Sequence, residues 1–336
     1  MPRFRGGQSG FFEVWFVEVQ DDLQETGLWL RYTLRSPERG HGPKVAEIWA
    51  MHFDRGDPRK SFGLKRTVPF AANQLEQNRF ELKIGDTSID HLGCRGRIED
   101  QGRSIGWDFK WTDGELLMHF PYTGMYASPF PATKVLAPHF DMRATGTYSA
   151  DGRERKMSGA PGQQSHIWGT EQARRWRACH ANTFQEDPGA AFEALTVDVP
   201  LLPTATMFAL KLGGETFLFH GPLDLLNGNE SRTDAPAGNN ALYPVSRWTV
   251  GGGDENLRFR GEISAPIETY LGLEYVDPDG SKRFCSHSKL AEVRLEVLFP
   301  DGNGGWRVGQ TLTTGPSAAL EFAGSAPDPR VPITVT

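Results

Sequence analysis

The residues best suited to chemistry in this chain lie close together, in the passage Gly162–Phe184, GQQSHIWGTEQARRWRACHANTF. His166 and Trp168 are two apart, so on an extended strand they share a face. Trp176, Ala178, His180, Asn182 and Phe184 alternate in the same way, which sets an imidazole and an amide between two aromatic side chains. An unpaired buried polar group costs about 1–3 kcal/mol. These groups therefore either satisfy one another and the backbone, or line a cavity and face a ligand. A helix is the other geometric option, since Trp176, Cys179, His180 and Thr183 also follow 3.6 spacing. Just beyond, in FEALTVDV, Glu193 shares a face with Leu195, Val197 and Val199. A carboxylate there stands either at a solvated strand end or in a buried setting that raises its pKa, and the second case supplies a proton donor near neutral pH.

Short alternating segments cut by turn residues must position these groups. Phe11–Val19, Leu28–Leu34 and Ala46–Phe53 come first, then Arg79–Ile84, Gly93–Asp100, Ser104–Trp111 and Glu115–Pro121. A looser passage rich in Pro, Tyr and Phe, Tyr122–Phe140, separates them from a strand-like series between Ala144 and Val199. The last third repeats the style, with hairpin signals at Gly213-Gly214, Asp279-Gly280 and Asp301-Gly302. The chain has 336 residues with 38 Gly and 23 Pro, well above ordinary usage and spread throughout. Nine Trp, 21 Phe and 7 Tyr add a large stock of rigid apolar surface. These features predict an all-β protein of sandwich or barrel type and no helix longer than a few turns. The length favours two domains, 1–185 and 186–336, with the boundary near residue 185 uncertain by about 20 residues.

Several function classes are disfavoured. The net charge of −6, without a basic run, argues against a nucleic-acid partner. No apolar stretch is long enough for a membrane span. Cys94, Cys179 and Cys285 are too few and too far apart for a disulfide framework or a zinc ribbon, and a cytoplasmic setting is expected. GxSxG, HExxH, Walker A and GxGxxG signatures are absent, and nine scattered histidines favour structural roles over a metal site. Neither metal nor cofactor is expected. The face formed by Trp107, Phe109 and Trp111 reads as core or, in a protein that binds hydrocarbons, as the wall of a cavity.

FFEVWFVEV, GLWLRYTL, AEIWAMHFD, the passage GQQSHIWG…RRWRACHANTFQ and the late YVDPDGSKRFCSHS resemble the carotenoid 1,2-hydratase and AttH-like family, over nearly the whole chain. The resemblance implies two lipocalin-like (calycin) β-barrels or sandwiches in tandem. Members include hydratases that add water to an alkene, and relatives act as terpenoid cyclases or Diels–Alder-type pericyclases. It also implies that His166 and Trp168 are the family's His-x-Trp pair at the mouth between the two domains. The Tyr-x-Asp that hydratases carry on the following strand is missing, and Glu193 occupies that region.

The expected function is therefore that of a hydratase or cyclase acting on an apolar isoprenoid or polyketide-derived substrate, by protonation of a C=C bond. His166, Glu193 and His180 form the expected catalytic set, with His166 or Glu193 as acid. Trp168, Trp176, Asn182, Phe184, Trp107 and Trp111 form the expected binding surface, the indole faces stabilising positive charge. Asn182 and His180 would hold water or orient a substrate oxygen. Two other readings stay open: a non-catalytic binder of an apolar metabolite, and a pericyclase that needs no acid. The sequence is silent on oligomeric state.

Overall fold

The computed structural model describes residues 2–336 except 22–24, 77, 113, 199–203, 222, 223, 225–228 and 235–244. Val199 therefore lies outside the described residues. The period-two segments form strands. The first half contains β1 (Phe11–Asp21), β2 (Thr26–Ser36), β3 (Val45–Asp54), β4 (Phe62–Pro69), β5 (Asn73–Glu76), β6 (Glu81–Ile84), β7 (Thr87–Asp90), β8 (Gly93–Asp100), β9 (Arg103–Trp111), β10 (Leu117–Met118), β11 (Thr133–Ala150) and β12 (Arg153–Gly169). The second contains β13 (Trp176–Ala181), β14 (Ala191–Val197), β15 (Ala205–Leu212), β16 (Glu215–Phe219), β17 (Glu230–Thr233), β18 (Trp248–Gly253), β19 (Arg258–Ser264), β20 (Leu271–Val276), β21 (Lys282–Pro300), β22 (Trp306–Thr313), β23 (Ala318–Gly324) and β24 (Ile333–Val335).

Each set makes one twelve-stranded sheet. The first runs β4-β3-β2-β1-β12-β11-β9-β8-β7-β6-β5, with β10 added to β11. The second runs β16-β15-β14-β13-β23-β21-β19-β18-β17, with β20 and β22 on β21 and β24 parallel to β20. Each sheet curls around its own core. Trp15, Tyr32, Ile48, Trp107, Phe109 and Tyr148 fill the first, and Phe192, Phe208, Trp248, Phe259, Leu295 and Phe322 fill the second. This is a nearly all-β, tandem lipocalin-like architecture, as the sequence led us to expect. No helix among the described residues is long and apolar enough to cross a membrane.

A seam between the two sheets explains why the opening strands read as almost continuous apolar runs. On β1, Trp15, Val17 and Val19 enter the first core, while Phe16 faces the other way. Strand pairing puts Trp29 of β2 and Trp49, Met51 and Phe53 of β3 on that second face, against Leu271, Leu273, Tyr275 and Val335. Strands buried on both faces lose the apolar–polar alternation of a half-solvated sheet. The three hairpin signals hold, with left-handed glycines at Gly213, Gly214, Gly280 and Gly302. Two expectations change. Part of the looser passage belongs to the 18-residue β11, whose register shifts around His139 hide the alternation. Glu115–Pro121 keeps only the two residues of β10. The helical option for 176–183 is not taken, because β13 is extended between β14 and β23.

Candidate functional site

The seam is apolar at one flank and carries ionisable groups at the other. Glu193 on β14 lies opposite His180 on β13. Its Oε1 is 2.6 Å from His119 Nε2, and its Oε2 accepts a hydrogen bond from Gln163 Nε2 on β12. Leu117 pairs with Ala137, and Leu117, Ala137 and Phe140 of the first half meet Ala191 and Ala209 of the second. The two-residue β10 thus carries His119, just past its end, to the second sheet. Burial by itself would raise the Glu193 carboxyl, but His119, with His180 and Gln163, outweighs it and holds the pKa below the usual carboxylate range. The raised pKa that a buried carboxylate suggests is thus reversed by its partners. With Nε2–H donated to Glu193, the imidazole of His119 presents Nδ1, which is buried without a hydrogen-bond partner.

A narrow cleft opens at this pair. Leu117, Met207, Phe208, Ala209 and Leu218 line it together with His119, Glu193 and His220. Its interior has room for about one water molecule. His220 donates Nδ1–H to the His119 carbonyl at 3.0 Å, which fixes its tautomer, and burial lowers its pKa. The arrangement can pass a proton between an imidazole and a group entering an otherwise apolar space. Its acid–base half is polar, buried and pre-oriented.

A second polar row continues along the seam. His180 Nε2–H donates to the Phe140 carbonyl at 2.9 Å, and its Nδ1 stands 2.5 Å from Glu18 Oε1, off the line of a hydrogen bond. Lys289 Nζ lies 3.5 Å from Glu18 Oε2, with both residues buried. Burial would raise the Glu18 carboxyl; Lys289 first, then His180 and His287, hold it at about 2. Asn182 donates to the Gly162 carbonyl at 2.9 Å, and Gly162 needs its missing side chain, since a Cβ would stand 2.5 Å from the Glu18 carbonyl oxygen. Trp176 donates to Glu321 at 3.0 Å and stacks on Tyr275, while His287 Nδ1 lies 2.9 Å from the other Glu321 oxygen.

The sequence-predicted residues divide between the seam and the interiors of the two halves. His180, Asn182, Glu193 and Trp176 come together on the seam. His166 does not join them. It stacks on Trp15 inside the first half, with ring centroids 5.0 Å apart, and its Nε2 is 2.7 Å from Glu13 Oε1. On β12 it is Gln163, of opposite parity to His166, that reaches Glu193 across the seam. Trp168 shares the face of His166, with centroids 4.6 Å apart, and Arg3 lies over its ring. Glu13 also accepts the backbone N–H groups of Arg3 and Phe4, so this pair anchors the N-terminal segment. Burial, only partly offset by Glu13, lowers the His166 pKa. The expected set of His166 with His180 and Glu193 is corrected: a sheet separates the first from the other two. Trp107 and Trp111 are first-half core residues, their indole N–H groups taken by the Tyr32 hydroxyl and the His91 carbonyl. Phe184 also leaves the expected face. β13 ends at Ala181, and Phe184 turns into the second core.

His119 and Gln163 were missed as functional candidates. His119 reads in the sequence as one of the scattered histidines, 74 residues from its carboxylate partner, and no local spacing connects them. Gln163 carried a weak signal, since it opens the polar run before His166. Among the described residues no group of three or more His, Cys, Asp or Glu side chains is placed to hold a metal ion.

No family model matches the chain. Two curated relatives are each 25 % identical over 309 residues, spanning 88 % of this chain and 84 % of theirs; both are uncharacterized proteins of Mycobacterium tuberculosis, from strains CDC 1551 / Oshkosh and ATCC 25618 / H37Rv. Among solved structures, a protein of Nitrosomonas europaea described as a "putative AttH" superposes with a TM-score of 0.57. That alignment covers 94 % of this chain and 92 % of the other at 15 % identity, so what the two share is the tandem lipocalin-like fold.

Proposed function

We propose that the protein is a cofactor-independent acid–base enzyme of the hydratase or cyclase kind, with His119 and Glu193 as its proton-transfer pair. The observation that carries this reading is an imidazole tied to an ionised carboxylate at one nitrogen, with the other nitrogen unpartnered at an apolar cleft. A protonated His119 gives its Nδ1 proton to a C=C bond of the substrate. The resulting carbocation is captured by water, whose surplus proton returns to the imidazole, or by a second double bond, the new cation then losing a proton to the imidazole. Glu193 keeps the imidazole oriented and balances its charge, and the Phe208 ring offers a face to the cation. Leu218, 44 % exposed, continues the apolar lining to the surface, where the rest of an isoprenoid or polyketide-derived substrate would lie. The likeness to a structure described as a "putative AttH" agrees with this reading at the level of fold.

The test is turnover of farnesol, geraniol and linear C40 polyenes in deuterated water, followed by mass spectrometry. Deuterium enters the product with the wild type. It is lost with His119→Asn and falls by about 10²-fold or more with Glu193→Gln, whereas His166→Asn leaves incorporation intact. Product formed without deuterium refutes the protonation step. Incorporation that survives His119→Asn refutes the assignment.

A further inference from the structure

A second imidazole lines the cleft at His119. His220 follows the end of β16, and its Nδ1 lies 3.0 Å from the His119 carbonyl. A carbonyl oxygen only accepts, so the neutral ring carries its proton on Nδ1 and a lone pair on Nε2. Nε2 has no hydrogen-bond partner among the described residues, and it is the polar atom that His220 brings to the cleft. The ionisable groups around the ring are His119, Glu193 and Asp224. Burial leads in lowering its pKa and the nearby His119 adds to the effect, while the bond to the His119 carbonyl and the Asp224 carboxylate oppose it. His220 is thus a neutral base beside the His119 acid. The other walls, Leu117, Met207, Phe208, Ala209 and Leu218, are apolar. A water in so small a space needs about two to four polar partners. Nε2 of His220, Nδ1 of His119 and the Glu193 carboxylate are the polar side-chain atoms present for it. Water is also the one reactant of a hydration small enough to lie wholly inside, with the alkene approaching past Leu218.

We propose that this cleft seats the water that captures the carbocation, and that His220 is a second catalytic residue, whose Nε2 takes the proton this water sheds. The role rests on His119 being the acid, and it makes the reaction a hydration. The Nδ1–H bond of His119 breaks as the new C–H bond forms. The water oxygen then forms the C–O bond, and one of its O–H bonds breaks as the proton moves to His220 Nε2. Alkene and water become an alcohol, with one proton displaced from His119 to His220. Both rings line one cleft, so the next water to enter carries that proton from His220 back to the bare Nδ1 of His119. Without His220 the cation has no base beside the water, and it returns a proton to His119 instead.

Turnover of geraniol, farnesol and linear C40 polyenes by the full chain, in oxygen-18 water and in parallel in deuterated water, tests the assignment. The wild type should give an alcohol whose new hydroxyl carries the oxygen label. His220→Asn keeps an N–H for the His119 carbonyl and lacks Nε2. It should form the labelled alcohol more slowly by about 10²-fold or more, while deuterium still enters recovered or isomerised alkene as in the wild type. Equal alcohol formation by His220→Asn overturns the base role, as does loss of deuterium uptake together with the alcohol. Wild-type product with deuterium but without the oxygen label overturns the water seat and leaves His119 standing as the acid. Deuterium uptake that survives His119→Asn refutes the acid instead. Nitrogen-15 NMR of the imidazoles at pH 7 reads His220 with no substrate present. The neutral ring with its proton on Nδ1 is expected; an imidazolium, or a neutral ring protonated on Nε2, overturns the base role.

Discussion

Replacing Glu18 by Gln keeps the shape of the side chain and removes its charge from a buried position. In the folded protein the Glu18 carboxyl sits at about 2 instead of its ordinary 4.5, because Lys289 and the two histidines outweigh the opposing effect of burial. That depression corresponds to about 3 kcal/mol of stability near neutral pH. Its sign follows from the direction. A carboxyl with a folded pKa below the unfolded one stabilises fully above about 4.5, and the contribution drains away as pH falls towards 2. At pH 3 about 1 kcal/mol remains. The variant also leaves Lys289 without its carboxylate partner, and breaking a buried pair from one side typically costs about 3–5 kcal/mol. The assay is equilibrium urea unfolding, followed by tryptophan fluorescence, of wild type, Glu18→Gln and Glu18→Gln/Lys289→Met. Wild type should exceed Glu18→Gln by about 3 kcal/mol at pH 7 and by about 1 kcal/mol at pH 3. The double variant should recover part of the loss, since removing both charges leaves neither uncompensated. A gap below about 1 kcal/mol at pH 7, or one that does not narrow with acid, refutes the reasoning.

Other outcomes follow from the same structure. His52 is buried beside Phe62 and Tyr148, and burial first, then Arg155, lowers its pKa to about 4. An unfolded chain takes up that proton below about 6.5, so from pH 7 to 4 the wild type should lose about 3 kcal/mol more than His52→Gln, measured by urea unfolding. Gly162→Ala would place a Cβ 2.5 Å from the Glu18 carbonyl oxygen, a backbone atom that cannot swing aside. A destabilisation of about 1–3 kcal/mol is expected, read as a lower melting temperature. Trp107→Ala should cost about 3–5 kcal/mol through the cavity it leaves in the first core. Turnover per folded molecule should be unchanged, where a substrate-wall role would abolish it.

Strand existence, the all-β class and the turns were legible in the sequence, because period-two patterning and left-handed glycines are local physics. So was the shared face of Trp176, His180 and Asn182, since alternation along one stretch of chain gives it, whereas the place of Glu193 opposite His180 comes from the register of β14 on β13. What alternation cannot say is which face meets which core. β1, β2 and β12 are buried on both sides, and a shift of one residue decides between the interior of the first half and the seam. His166 and Trp168 fell on the other side of that decision, and Phe184 left its face because β13 ends at Ala181. Only the tertiary structure brought His119 to Glu193, because that pairing depends on how the two sheets meet. The direction of the Glu193 shift belongs to the tertiary level too: a lone buried carboxyl is raised, and the same carboxyl between His119, His180 and Gln163 is lowered. The sequence by itself determined the strands and the kinds of side chain available; the packing of one sheet on the other determined which of them meet.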